Sequence, residues 1–223
     1  MQNIPNEPIA PVVLDMTSEE IDSRAGGWLQ RIASVNRRDW RPVPKQSALL
    51  VIDCQNFFVS SPQPTGAGIL RNVRRLCDLF RKAGRPVIFT RHMHKKDLSD
   101  TGMLGEWWAG AIIEGTWDSE LHPALGADPN DIVIPKNRYS AFQGTDLQRI
   151  LDERKVRDLV VTGVMTNLCC ETTSRDAFMR DFRVFFVADA TATASEEMHI
   201  ATLLNAAFGF AVVLKSNDVA AVF

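Results

Sequence analysis

Short apolar runs that alternate with helical patterns constrain the fold of this chain more than any other feature. The run at 48–52 is continuously apolar, which is typical of a strand buried on both faces. Apolar positions at helical spacing over 70–80, ended by Gly84, predict a helix after it. Five more strands are predicted at 86–90, 131–134, 159–162, 184–187 and 211–214. The alternation predicts an α/β fold: a six-stranded, mostly parallel sheet with helices on both faces.

The N-terminal segment predicts a helix that precedes this alternation. Thr17 and Glu20 have the spacing of a capping box, in which each side chain bonds the other residue's backbone. Apolar residues then recur on one helical face up to Ile32, and two prolines follow at 42 and 44. We therefore predict a helical extension over 1–44, packed on a domain of 45–223.

Charge and cysteine content exclude several classes of partner. The chain has 25 basic and 27 acidic side chains, a net charge of −2, whereas nucleic acids and anionic membranes select basic surfaces. No apolar stretch approaches a membrane span or a signal-peptide core. Four cysteines without CxxC spacing are typical of a reducing compartment. We expect a cytoplasmic protein that binds a small molecule, and neither nucleic acid nor membrane.

Three reactive side chains follow predicted strands. Asp53 ends the first strand, Lys136 follows the third, and Cys169 lies between the fourth strand and a helix. The carboxyl ends of parallel strands form the ligand-binding edge of such a sheet. A thiol near a helix N-terminus and a lysine has a lowered pKa, and a carboxylate can take its proton. This pattern predicts acyl transfer, with a buried, unreactive cysteine as the alternative.

Three segments together resemble the isochorismatase-like cysteine hydrolases. They are 49–56 (LLVIDCQN), 136–142 (KNRYSAF) and 163–173 (GVMTNLCCETT). The resemblance extends from residue 47 to the C-terminus and implies a three-layer, Rossmann-like fold. It also implies a homo-oligomer, a dimer or a tetramer.

The resemblance implies a role for each residue of an Asp–Lys–Cys triad. Asp53 is then the proton shuttle, Lys136 its charge partner and Cys169 the nucleophile. The family also has a non-proline cis peptide before the nucleophile, here at 164–165. That bond would direct the backbone amides of Met165 and Cys169 toward an oxyanion, while Cys170 is interpreted as a packing residue.

Two chemistries occur among proteins of this kind. The nucleophile with the preceding Thr166 and Asn167 favours hydrolysis of a small linear amide or N-carbamoyl compound through an acyl-enzyme, releasing ammonia. The N-terminal helix and the segments 105–108 and 138–142 are instead similar to isochorismatases, which cleave a vinyl ether with Asp53 as the acid. A non-catalytic binding protein on the same fold is a third alternative.

The expected walls of the pocket lie close to the triad in sequence or in the long segment 92–130. The predicted substrate-binding residues are Phe58, His92, Trp108, Arg138, Tyr139 and Asn167. His92 and His94 fall where some relatives hold a metal with an Asp-x-His pattern, but the carboxylate ligand is missing here. We therefore expect neither a metal nor another cofactor.

Overall fold

The computed structural model describes residues 16–60, 65–108 and 110–223. In these ranges six strands form one sheet, in the order β3-β2-β1-β4-β5-β6, and each neighbouring pair is parallel. The strands are β1 Ser47–Ile52, β2 Val87–His92, β3 Ile132–Lys136, β4 Asp158–Val164, β5 Arg183–Ala192 and β6 Val212–Leu214. The predicted α/β architecture is confirmed, and the described part of the sheet is entirely parallel.

Helices cover the sheet. They are α1 Ser18–Ile32, α2 Asn56–Val59, α3 Leu70–Lys82, α4 Met103–Trp107, α5 Leu147–Glu153, α6 Glu171–Met179, α7 Glu196–Gly209 and α8 Ser216–Ala220. Every residue of β1 and β4 is buried, so helices and loops shield both faces of the central strands. No helix in the described ranges is long and apolar enough to span a membrane.

Helix α1 begins with the predicted capping box. The Thr17 hydroxyl accepts from the Glu20 amide at 3.3 Å, and the Glu20 carboxylate accepts from the Thr17 amide at 2.8 Å. The helix buries Ile21, Ala25, Trp28 and Ile32. The division into an extension of 1–44 and a domain of 45–223 stays a proposal, and residues 1–15 of it lie outside the described ranges.

The first turn of α5 is stabilised by a side chain outside the helix. The helix begins at Leu147 after Asp146, whose side chain caps nothing. The Thr145 hydroxyl accepts from the Leu147 amide at 3.2 Å and donates to the Ala141 carbonyl. Thr145, the residue before Asp146, therefore stabilises the first turn of α5.

The strand order places a topological switch between β1 and β4. From these two neighbours the chain continues to opposite halves of the sheet, which opens a crevice at their carboxyl ends. Gly163 in β4 has φ of 110°, and a Cβ there would collide with the backbone of Ile52 in β1. Glycine thus permits the close approach of the two strands immediately below the crevice.

Candidate active site

Asp53, Lys136 and Cys169 meet at the carboxyl edge of the sheet. The Lys136 ammonium lies 2.7 Å from Asp53 Oδ2 and donates to Cys169 Sγ at 3.3 Å. The side chains of Asp53 and Lys136 are completely buried, and Cys169 is 6% exposed. Three residues far apart in sequence therefore form one water-shielded cluster.

Asp53 is held by its own backbone and by β2. It adopts φ of 50°, a left-handed conformation that aspartate tolerates better than most residues. The Thr90 hydroxyl donates to Asp53 Oδ1 at 2.6 Å and accepts from the Asp53 amide at 3.2 Å. Oδ2 has no well-angled hydrogen bond in the described structure, so its contact with Lys136 is an ion pair. One oxygen is fixed by Thr90, and the other faces the lysine.

Lys136 is surrounded by acceptors. Its ammonium also donates to the Arg138 carbonyl at 3.0 Å and lies 3.4 Å from His92 Nδ1. Burial alone would lower the pKa of Lys136, but the charge of Asp53 and the hydrogen bond to Cys169 raise it. Burial and the Lys136 charge lower the pKa of His92 to about 4. His92 is therefore neutral at pH 7, with Nδ1 as the acceptor facing Lys136.

Cys169 lies in a wide helical turn, Thr166–Cys170, that joins β4 to α6. We call this segment the nucleophile turn, after the role predicted for Cys169. The peptide bond between Val164 and Met165 before it is cis, as the resemblance implies. Met165 thus lies directly before this turn and Cys169 near its end, and their role as oxyanion donors stays a prediction.

The expectation of a lowered thiol pKa is wrong. Burial raises the pKa of Cys169 to about 12; the Lys136 charge opposes this, while the Asp53 charge adds to it. The main reason is burial, and Asp53, 2.7 Å from the ammonium, also compensates the lysine's charge. Cys169 therefore rests as a thiol beside a carboxylate that can accept its proton.

Cys170 has a different environment. It is completely buried, and its thiol faces the Thr162 carbonyl in β4 at 3.9 Å. Burial raises its pKa well above the ordinary value of a cysteine. These contacts agree with the interpretation of Cys170 as a packing residue.

Four of the six predicted wall residues have the following side-chain contacts. Near the triad, Tyr139 is half-buried and its hydroxyl accepts from Trp108 Nε1 at 2.9 Å, while Trp108 is 43% exposed. Phe58 packs against the core and edge-on to Phe57. Asn167, in the nucleophile turn, accepts from the Thr193 hydroxyl. These contacts leave the substrate-binding roles as predictions.

The sequence model of the Isochorismatase domain matches residues 47–218. The chain belongs to the isochorismatase family. The match covers the whole sheet and all three clustered residues, and it begins after α1.

Several individual proteins are similar to this chain. The chain is 52% identical to nicotinamidase 3 of Arabidopsis thaliana over 176 residues, 78% of this chain and 86% of that protein. It is 33% identical over 171 residues, 75% of this chain, to enterobactin synthase component B of Escherichia coli K12, and spans only 60% of that protein's length. A solved cysteine hydrolase from Pseudomonas syringae superposes with a TM-score of 0.78 at 28% identity, covering 82% of this chain and 94% of that one.

In this isochorismatase-family chain, side chains near the site donate hydrogen bonds to backbone carbonyls of the segment 93–122. Gln55 Nε2 and Arg91 Nε both donate to the Ser119 carbonyl, at 3.0 and 2.7 Å. Asn56 Nδ2 donates to the Trp117 carbonyl at 2.9 Å. The Arg138 guanidinium donates to the Asp100 carbonyl at 2.8 Å. We call these four side chains the loop anchors. Arg138 thus has a structural task, and its proposed contact with substrate is untested.

The two histidines after β2 have different partners. His92 faces Lys136, whereas the buried His94 has Nδ1 3.4 Å from Asp100 Oδ1. Their rings meet edge-on at 5.0 Å. In the described ranges no three His, Cys, Asp or Glu side chains are gathered in a way that could hold a metal ion.

Sequence reasoning missed the residues that hold the reactive groups. Thr90, which binds Asp53, was identifiable because it ends a predicted strand at the same sheet edge. His199, whose Nδ1 lies 3.0 Å from the Thr166 hydroxyl, carried no such signal, since it lies within a helix and follows no strand directly. Supporting residues of this second kind become visible only when the helices are packed.

Proposed function

We propose that this protein is a cysteine amidohydrolase that cleaves the C–N bond of a small amide or N-carbamoyl compound and releases ammonia. The observation that carries the proposal is the buried contact of the Cys169 thiol with Lys136 at 3.3 Å, and of Lys136 with Asp53 at 2.7 Å. The name of the Arabidopsis relative adds nicotinamide, a heteroaromatic carboxamide, to the substrates worth testing.

The geometry supports a two-step acyl transfer. As Cys169 Sγ attacks the carbonyl carbon, its proton passes to Asp53, and the Lys136 ammonium stabilises the developing negative charge. The tetrahedral oxyanion would be met by the amides of Met165 and Cys169. Its collapse breaks the C–N bond, and Asp53 returns the proton so that ammonia leaves. Water then attacks the thioester with Asp53 as base, which releases the acid and restores the thiol.

Vinyl-ether hydrolysis is the second candidate. It needs a protonating carboxyl group but no nucleophile, so the buried pair of Asp53 and Lys136 would be sufficient. The description of the matching family, Isochorismatase domain, supports this second candidate. Cys169 discriminates between the two, because a thiol in contact with Lys136 has no task in ether cleavage. A binding protein without catalysis is the remaining alternative.

The test is ammonia release from nicotinamide, simple linear amides and ureido compounds, with isochorismate as a separate substrate. We expect the wild type to release ammonia and Cys169→Ala to lose at least about 10³-fold in kcat. Cys170→Ala is the matched control, a neighbouring cysteine in the same turn, and should keep most of the activity. Mass spectrometry of the wild type with a slow substrate should detect the acyl group on the peptide containing Cys169.

The opposite results are equally informative. Equal ammonia release by wild type and Cys169→Ala would reject the nucleophile. Cleavage of isochorismate by both, without ammonia from any amide, would favour ether hydrolysis. No turnover of any compound by the folded wild type would favour a binding protein.

We also propose a cytoplasmic homo-oligomer that needs no cofactor. Support comes from the family resemblance, the cysteine usage and the exposed tryptophans of the segment 93–122, among them Trp107 at 73% exposure. Light scattering on the purified protein would give a mass of two or four subunits, and a monomer would contradict this proposal.

A further inference from the structure

His199 is a buried titratable residue that the proposed mechanism does not use. It lies in α7 and is 2% exposed. Its Nδ1 is 3.0 Å from the hydroxyl of Thr166, which is completely buried and is the first residue of the nucleophile turn. A polar bond without access to water therefore joins α7 to the segment that carries Cys169, and such bonds are costly to break.

The direction of this bond follows from the ring's surroundings. Burial lowers the pKa of His199 to about 4, so the ring is neutral at pH 7. Nε2 is buried without a well-aligned partner in the described structure, and the Ala188 carbonyl of β5 is the backbone acceptor close to the ring. A carbonyl can only accept, which favours the proton on Nε2. Nδ1 is then the acceptor, and the Thr166 hydroxyl donates to it.

Two further contacts from the same region hold the nucleophile turn. The Thr202 hydroxyl of α7 donates to the Glu171 carboxylate at 2.8 Å, directly after the turn. The Thr193 hydroxyl, shortly before α7, donates to the Asn167 side chain within the turn. The first half of α7 and the loop before it therefore bond the first two residues of this turn and the residue directly after it.

Helix α1 packs on α7 next to His199. The centroids of the Trp28 and His199 rings lie 4.6 Å apart, and Trp28 Nε1 donates to Glu196 Oε1 at 2.6 Å. Arg24 binds the second oxygen of Glu196 at 2.9 Å. Both α1 residues precede the family match, which begins at residue 47. A helix outside the common domain thus lies one residue away from the support of the nucleophile turn.

We propose that His199 is a positioning residue that fixes the nucleophile turn through Thr166, and that α1 completes this support through Trp28. The effect on turnover rests on the proposed amidohydrolase function. The effect on the turn itself does not. A displaced turn moves Sγ relative to Asp53 and the substrate carbonyl, and small displacements of a reacting group cost large factors in rate.

The experiment compares variants that keep or remove the acceptor at Nδ1. His199→Leu removes it, whereas His199→Asn places an amide oxygen near the same point. We expect kcat to fall roughly ten- to a hundredfold in His199→Leu with KM changed less than about threefold, and to recover largely in His199→Asn. Thr166→Val should reproduce the loss, and the double variant with His199→Leu should lose no more than either alone.

Leu203→Ala is the control for stability. Leu203 is completely buried in the same helix, so the variant lowers the melting temperature without touching the hydrogen bond, and kcat should stay near the wild-type value. For the α1 arm, Trp28→Leu should lower kcat in the same direction, and Trp28→Phe, which keeps an aromatic ring, should lower it less. Equal kcat in His199→Leu and wild type, or equal losses in His199→Leu and His199→Asn, would overturn the proposal.

A second readout separates this inference from the proposed function. Hydrogen exchange of the peptide spanning the nucleophile turn requires no substrate. We expect exchange to be at least about tenfold faster in His199→Leu and Thr166→Val, and near wild type in His199→Asn and Leu203→Ala. If the wild type hydrolyses no amide, the proposed function fails while this comparison still decides the positioning role. Unchanged exchange in all variants would reject that role.

Discussion

At the scale of single residues, Lys136 shows how a charge is accommodated in the interior. A buried ammonium is unfavourable unless its charge is compensated and its protons are bonded. Asp53 supplies the opposite charge at 2.7 Å. The Arg138 carbonyl and the Cys169 sulfur accept hydrogen bonds from the Lys136 ammonium. The cluster is therefore a set of mutually dependent groups, and removing one leaves the others uncompensated.

This dependence predicts the stability of two variants. Lys136→Met leaves the Asp53 carboxylate buried and unpaired, so it should lower the free energy of unfolding by about 3–5 kcal/mol. Combining it with Asp53→Asn removes that charge, and the double variant should be more stable than Lys136→Met alone. Urea unfolding followed by circular dichroism measures both.

A surface pair provides the comparison for Lys136. Arg149 binds Asp146 and Glu153, and its side chain is 58% exposed. Arg149→Ala should therefore cost less than about 1 kcal/mol. A loss for Lys136→Met as small as that for Arg149→Ala would contradict the account of a tightly coupled buried cluster.

At the scale of elements, the junction of β1 and β4 sets the position of the site. Gly163 adopts φ of 110°, and its missing side chain leaves room for the Ile52 backbone. Gly163→Ala should therefore lower the free energy of unfolding by at least about 2 kcal/mol, through backbone strain and steric conflict together. Chemical denaturation measures this loss.

The matched control is a glycine in the middle of a helix. Gly27 lies on the exposed face of α1 with nothing near the position of a Cβ. Gly27→Ala should raise the free energy of unfolding by up to about 1 kcal/mol, because alanine favours the helix. Similar effects of the two substitutions would show that the strand junction tolerates a side chain.

The sequence predicted the elements whose pattern is local. The apolar run 48–52 became β1 with one added residue, and the rule about strand ends brought Asp53, Lys136 and Cys169 to one edge. It did not predict the thiol pKa, because burial and the compensation of Lys136 by Asp53 depend on the packed structure. The hydrogen bond between His199 and Thr166 could not be predicted from the sequence either, since it joins a helix to a turn 33 positions earlier.

At the scale of the whole molecule, two neutral histidines link stability to pH. The pKa values of His92 and His199 are lowered from 6.5 to about 4, chiefly by burial. The unfolded chain therefore binds protons that the folded chain does not, and the stabilisation present above pH 6.5 is lost as the pH falls toward 4. Each histidine can contribute up to roughly 3 kcal/mol to this loss.

We therefore expect the free energy of unfolding to decrease steadily from pH 6.5 to pH 4. His199→Asn removes one of the two groups, so its loss over this range should be markedly smaller than that of the wild type. Urea titrations at half-unit pH intervals measure both curves. A wild-type curve that is flat over this range, or identical slopes for the two proteins, would contradict the prediction.

The loop anchors have a practical consequence for protein engineering. Gln55, Asn56, Arg91 and Arg138 donate to main-chain carbonyls of the segment 93–122, which every amino acid provides. These four hydrogen bonds therefore do not depend on which side chains the segment carries. Libraries that randomise exposed positions such as Trp107 and Trp108 can therefore vary the surface of the segment while the four anchors and the cluster of Asp53, Lys136 and Cys169 remain unchanged.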